Sequence, residues 1–316
     1  MIIVINSDEV IDLISPYVHE FDAEFPINLA LNSLISTELI TIFRLIERSK
    51  EDSDAKMVHH LRVAVRRIRS FLREFIEFLP LTETIKLSKL LKTFSDQLSL
   101  VRAIDVLLLD LKNFQDSLEN PDEIASIFNK LHEKREAEFA NFRLYCESKA
   151  IPKLLKRSLK FLIINQSFDR DLTLPHQTRH VLPMVISHRL YHILAYDVHL
   201  ADLPDAAYHE LRMEFKQFRY ILNAFSPILG KTAISFIDEI KVSQDTLGHF
   251  HDLLMFSKTL SAVKLSKKER KTLKSLLKSL KLESKELKEQ FIKVNWPHFN
   301  SRIVQKKLSD ALLVLR

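Results

Sequence analysis

Apolar residues recur three and four positions apart along almost the whole chain, the spacing that gathers them on one face of an α-helix. The pattern predicts helices over 28–48, 54–79, 83–99, 101–118, 121–148, 152–165, 180–200, 204–226, 231–248, 249–263, 266–291 and 298–314. No β-rich segment lies between them. The stretch "NQSFDRDLTLPHQTRHVLP" (165–183) is polar and holds two prolines. It is read as a linker over 166–183, dividing a first helical bundle (1–165) from a second (184–316).

Two segments share one pattern. "VHHLRVAVRRIRSFLREF" (58–75) aligns with "YHELRMEFKQFRYILNAF" (208–225) at an offset of 150, with identities at His59/His209, Leu61/Leu211, Arg62/Arg212, Arg69/Arg219, Leu72/Leu222 and Phe75/Phe225. "SDQLSLVRAIDVLLLDL" (95–111) aligns in the same way with "QDTLGHFHDLLMFSKTL" (244–260). These matches predict an internally duplicated all-α protein, two bundles related by a pseudo-twofold axis.

Each segment of the first pair has two faces. At about 100° per residue, His59, Arg62, Arg66, Arg69 and Arg73 fall within an arc of roughly 80°. Leu61, Val65, Ile68, Leu72, Phe75 and Ile76 occupy the adjoining arc and form a core stripe. In the second copy, His209, Arg212, Lys216 and Arg219 take the basic arc, and Leu211, Phe215, Phe218 and Leu222 the apolar one. A charged run is ordinarily a solvated face. Three features argue otherwise here. The face is of one sign, it favours the forked arginine in the first copy, and it recurs at the same angle 150 residues later. Cations one turn apart repel unless a polyanion neutralises them. Their spacing of about 5–6 Å suits a chain of phosphates better than a single one. If the two helices pack across the pseudo-twofold, they form a basic groove or pore. The phenylalanines sit largely at core spacing, leaving few rings to stack on bases, so a bare phosphate polymer fits better than nucleic acid.

Composition narrows the alternatives. Only two glycines occur in 316 residues, Gly230 and Gly248, which excludes glycine-rich nucleotide folds and hairpin-rich β folds. The single cysteine, Cys146, excludes an internal disulfide and cysteine-rich zinc sites, and reads as a packing residue. The net charge is +6, so the distribution of charge matters more than its sum. "MIIVINSDEVIDL" makes a poor signal peptide, and no run of eighteen wholly apolar residues occurs. The cytoplasm is the expected compartment, with no membrane span.

The quoted segments resemble those of the CHAD family, the conserved histidine α-helical domain. "LSLVRAIDVLLL" and "LGHFHDLL" resemble its paired Leu-Gly-x-x-Arg-Asp-x-Asp-Val motifs, with Ala103 and His251 departing from that pattern. The resemblance implies two pseudo-symmetric bundles around a basic central channel, binding of inorganic polyphosphate, and association with polyphosphate granules or polyphosphate-metabolising enzymes. Its implied ligand set is His59, Arg62, Arg66, Arg69 and Arg73 with His209, Arg212, Lys216 and Arg219. Lys160 and Arg189 stand near positions often basic in the family. Relatives are often fused to a CYTH triphosphatase domain, whose Glu-x-Glu-x-Lys strand motif does not occur here, so the chain reads as a stand-alone copy without a cofactor or catalytic role.

Two rival chemistries remain. His188/His192 and His176/His180 have four-residue spacing, and "HFHD" (249–252) holds a His-Asp pair, as a metal-dependent phosphohydrolase would need. A third and fourth ligand cannot be assigned from the sequence. The second rival is a nucleic-acid-binding helical protein. "KLSKKERKTLKSLLKSLKLESKELKEQ" (264–290) is lysine-rich but interleaved with glutamates, as in a solvated helix face.

Overall fold

The computed structural model describes residues 7–115, 124–168, 176–261 and 267–315. The predicted helix ends at 116–118, 121–123, 262–263 and 266, and linker residues 169–175, lie outside them. All named elements are helical. They are α1 (Ser7–Ile14), α2 (Ile27–Arg48), α3 (Ala55–Glu74), α4 (Leu81–Gln97), α5 (Ser99–Gln115), α6 (Ala125–Glu147), α7 (Ala150–Gln166), α8 (Thr178–Leu194), α9 (Asp205–Ser261), α10 (Lys267–Gln290), α11 (Trp296–Phe299) and α12 (Arg302–Leu313). The only bridge of β type among the described residues pairs Pro26 with Gln177.

Local chemistry sets the limits of α3. The Asp54 side chain caps its start by accepting from the Lys56 N–H. Its end comes at Glu74, five residues before the predicted boundary, where Phe75 leaves helical geometry ahead of a short 3-10 turn and Pro80. That turn removes Ile76 from the predicted core stripe and exposes it. Leu61, Val65, Ile68, Leu72 and Phe75 are buried as expected, as are Leu211, Phe215, Phe218 and Leu222 on α9.

The three helices expected over 204–263 are one element with one break. Gly230 adopts φ 76°, ψ −172° and kinks α9 just after Pro227. At Gly248 the helix runs on. A glycine inside a helix costs only about 1 kcal/mol, which tertiary packing readily overrides.

The core does not separate at the predicted linker. One apolar cluster runs from Val10 to Leu315, and Phe75 and Phe225, matched in the two aligned segments, touch at 5.8 Å between ring centroids. The described ends of the linker are tied down. Thr178 and Arg179 N–H groups donate to the Phe25 and Ala23 carbonyls, and Ile27 N–H donates to His176. Residues 178–183 already belong to α8, with Pro183 inside it. A second cluster, including Leu107, Leu131, Phe256 and Leu273, packs α5 and α6 against the end of α9 and α10.

By length and composition α2 and part of α9 could cross a membrane, which the absence of a wholly apolar run did not foretell. In the fold, 56% of the apolar window of α2 is buried within the protein. Its Asn32 is buried as well, donating to the Leu162 carbonyl on α7.

Gly230→Ala is expected to destabilise the protein by about 1–3 kcal/mol, because this backbone region is essentially closed to side-chain-bearing residues. An added Cβ would meet nothing within 4 Å, so strain alone sets the cost. Urea denaturation measures it.

Candidate functional site

Helices α3, α5 and α9 converge on a cavity of about 480 Å³. Arg62 and Arg66 reach it from α3, Arg102 from α5, and Arg212 and Lys216 from α9, with His59 and His251 on its wall. The core stripe of α3 fixes this arrangement, because burying Leu61, Val65 and Ile68 turns the adjoining arc toward α5 and α9. The two predicted stripes therefore meet. Arg66 Nη1 lies 3.5 Å from the Tyr220 hydroxyl of α9.

The cations are poorly compensated. Asp252 stands 3.5 Å from Arg212, and Asp110 is the only other carboxylate on the cavity wall among the described residues. Burial, then the Arg66 and Arg102 charges, depress the Arg62 guanidinium to about 10. Burial, then Arg212 and Arg66, pull the Lys216 ammonium down to about 7. Partial desolvation at the rim, followed by Arg102, His60 and other cations, holds His59 at about 4. Asp110 moves the other way, pushed up to about 6 by burial and the neighbouring Asp252 charge. The Nε atoms of Arg62, Arg69, Arg212 and Arg219 are buried donors without a protein partner. A buried unpaired donor costs about 1–3 kcal/mol, more when charged; the Nε of Arg189, away from the cavity, is left without a protein partner in the same way.

His209 sits behind the wall, its Nδ1 3.1 Å from that of His251. Burial and the nearby cations Arg212 and Lys216 lower both imidazoles, His251 to about 3. The pair is therefore neutral at pH 7, one ring donating to the other.

Other expected residues stand apart. Arg69 and Arg219 lie farther along their helices, outside the cavity lining. Arg73 is exposed and paired with Glu74 at 2.6 Å. Lys160 lies on α7 and meets Glu83 at 3.4 Å, away from both stripes. Arg189 is buried in α8 and donates to Glu74 and Glu214, so carboxylates occupy both ends of its guanidinium. It ties α8 to α3 and α9 through both terminal nitrogens, while its buried Nε has no protein partner. Arg102 was missed as a site residue, although it stands in the quoted "LSLVRAIDV" motif where the second segment has His251. Asp105 of the same motif is buried and bonded to Arg135 at 2.6 Å, joining α5 to α6. Cys146 is partly buried, and burial raises its thiol to about 12. Among the described residues, no three histidine, cysteine, aspartate or glutamate side chains are grouped to hold a metal ion.

A family model for the CHAD domain matches residues 36–261. The chain belongs to the CHAD family. Comparison with curated proteins finds no match. Among solved structures, the CHAD domain from the plant Ricinus communis superposes with a TM-score of 0.67 at 18% identity, over 95% of this chain and 96% of that one. PptA from Streptomyces chartreusis superposes with a TM-score of 0.60 at 15% identity, covering 86% and 99%. At such identities the likeness is one of fold. It shows that the all-helical CHAD architecture extends past the family match at residue 261, into the helices that follow α9.

Arg189→Ala is expected to cost about 1–3 kcal/mol in urea denaturation, because the buried Glu74 carboxylate keeps Arg73 on one oxygen but loses its partner on the other. Lys160→Ala should cost at most about 1 kcal/mol, as its ion pair is half exposed.

Proposed function

We propose that this CHAD protein is a binding module for inorganic polyphosphate, and that it is not an enzyme. The observation that carries the reading is the convergence of Arg62, Arg66, Arg102, Arg212 and Lys216 on one cavity with few carboxylates to balance them. The four orphaned guanidinium Nε–H donors on the same two helices strengthen it. Phosphate oxygens supply charge and acceptors together, and guanidinium groups match them with charge-assisted bonds. Cations about one turn apart on two helices suit a polymer, which would run from the cavity along the stripes toward Arg69 and Arg219. In this reading the matched segments of α3 and α9 are duplicated halves around a basic channel. Granule association and contact with polyphosphate-metabolising enzymes in the cytoplasm follow as roles for such a module.

Nucleic acid is the second reading. It is less favoured because Phe256, the one phenylalanine on the cavity wall among the described residues, is buried and offers no face for a base, leaving only the His59 and His251 rings.

Affinity has a pH signature. Lys216 titrates at about 7 in the free protein, and bound phosphate must raise that value. Binding then takes up a proton above pH 7, so affinity is level just below pH 7 and falls as pH rises beyond it. The slope from one such group is at most about tenfold per pH unit.

Calorimetric titration at physiological salt, with long-chain polyphosphate beside duplex DNA, single-stranded RNA and orthophosphate, tests the reading. Tight binding of polyphosphate alone is expected. Arg66→Glu with Lys216→Glu should weaken it by about 100-fold or more while the helical circular dichroism is unchanged, as two attractive contacts become repulsive. Equal or tighter binding of RNA or DNA would overturn the reading.

A further inference from the structure

Helix α8 carries His180, Met184, His188 and His192, each four residues after the last. Steps of four place side chains above one another on one helix face, with a drift of about 40° per step. All four are exposed, whereas Val181, Val185, Arg189 and Ile193 face the interior. The column serves neither the core nor the basic cavity.

Two members of the column are already paired. The Nε2 atoms of His188 and His192 face each other at 3.3 Å, with ring centroids 4.5 Å apart and planes at 68°. In neutral rings one N–H satisfies that contact. A metal ion bound to both nitrogens, set off the line between them, would take the place of that hydrogen. At a metal–nitrogen distance of about 2.0–2.1 Å, two nitrogens subtending a tetrahedral angle lie about 3.3–3.4 Å apart. The nitrogen separation is therefore that of a chelate, and rotation of the two exposed rings, without backbone movement, would turn both lone pairs onto an ion set off the line between them.

We propose that His188 and His192 form a binding site for a late divalent transition ion, Zn(II), Ni(II) or Cu(II), with water completing the coordination sphere. Imidazole nitrogen suits these ions, and Cu(II) binds most tightly among them. Hard ions such as Mg(II), which prefer oxygen, are excluded by the same chemistry. The other facing pair, His209 and His251, has a similar nitrogen separation but lies beside Arg212 and Lys216, where a dication would meet uncompensated positive charge. On α8 the nearest arginine in sequence, Arg189, is turned inward and neutralised by Glu74 and Glu214. The site is thus separate from the anion cavity, and its existence does not depend on what that cavity binds.

The test titrates the full chain, free of polyphosphate, with CuCl2, NiCl2 and ZnCl2. Calorimetry reads stoichiometry and affinity, and the nitrogen hyperfine pattern of bound Cu(II) reads the ligands. One ion per chain with two imidazole nitrogens is expected. His188→Gln and His192→Gln should each weaken binding by about tenfold or more, since either removes the chelate. Both residues are exposed, so circular dichroism should show both variants folded. His251→Gln should leave the affinity unchanged. Undiminished binding in the His188 and His192 variants would place the ion elsewhere and overturn the proposal, as would the absence of binding by all three ions.

Discussion

The structure turns on one constraint. Helices α3 and α9 must each bury an apolar stripe and hold a run of cations on the arc beside it. Burial of Leu61, Val65 and Ile68 on α3, and of Leu211, Phe215 and Phe218 on α9, leaves no freedom in where the basic arcs point. They point at each other and at α5. Arginine and lysine thus come to lie in a partly desolvated cavity where like charges repel and burial penalises the charged form. The lowered Lys216, Arg62 and His59 values are local signs of that cost.

Elsewhere the same chain shows how cations are treated when their role is structural. Arg135 is buried and bonded to Asp105, Glu136 and the Ser53 carbonyl. Arg189 is buried between Glu74 and Glu214. Each sits among carboxylates supplied by its own or neighbouring helices. Arg73, at the end of the α3 arc, meets Glu74, and the cavity part of the two arcs receives Asp252, Asp110 and the more distant Asp96. The contrast separates arginines paired with carboxylates inside the fold from the cavity arginines Arg62, Arg66 and Arg212, and it is the basis of the proposal that an outside anion neutralises the latter.

Much of this was legible in the sequence because helical periodicity is a geometric statement. The apolar and basic arcs of both segments could be read from spacing alone, and the fold preserves their angular relation. The failures are equally physical. Sequence charge does not reveal which carboxylate a side chain will find: Lys160 and Arg189, which the family resemblance implies as ligand residues, have Glu83, Glu74 and Glu214 beside them. Arg102 escaped because its place in the cavity depends on how α5 docks, which a cluster around Leu107 and Phe256 decides. Ile76 has the right helical phase but lies beyond the end of the helix. Gly230 breaks α9 and Gly248 does not, since a glycine permits a kink without requiring one.

The central claim is that the cations of the cavity are desolvated and await an anion. The most direct measurement is the titration of the Lys216 Nζ signal by NMR, with and without saturating polyphosphate, assigned by its loss in Lys216→Met. The account predicts a midpoint near 7 in the free protein, as burial and the Arg212 and Arg66 charges dictate, and a clear rise toward or past the ordinary lysine range once phosphate is bound. A midpoint that stays near 7 when polyphosphate saturates the protein would show that the polymer binds elsewhere. A free-protein midpoint already in the ordinary lysine range would show that the cavity imposes no cost for a ligand to relieve.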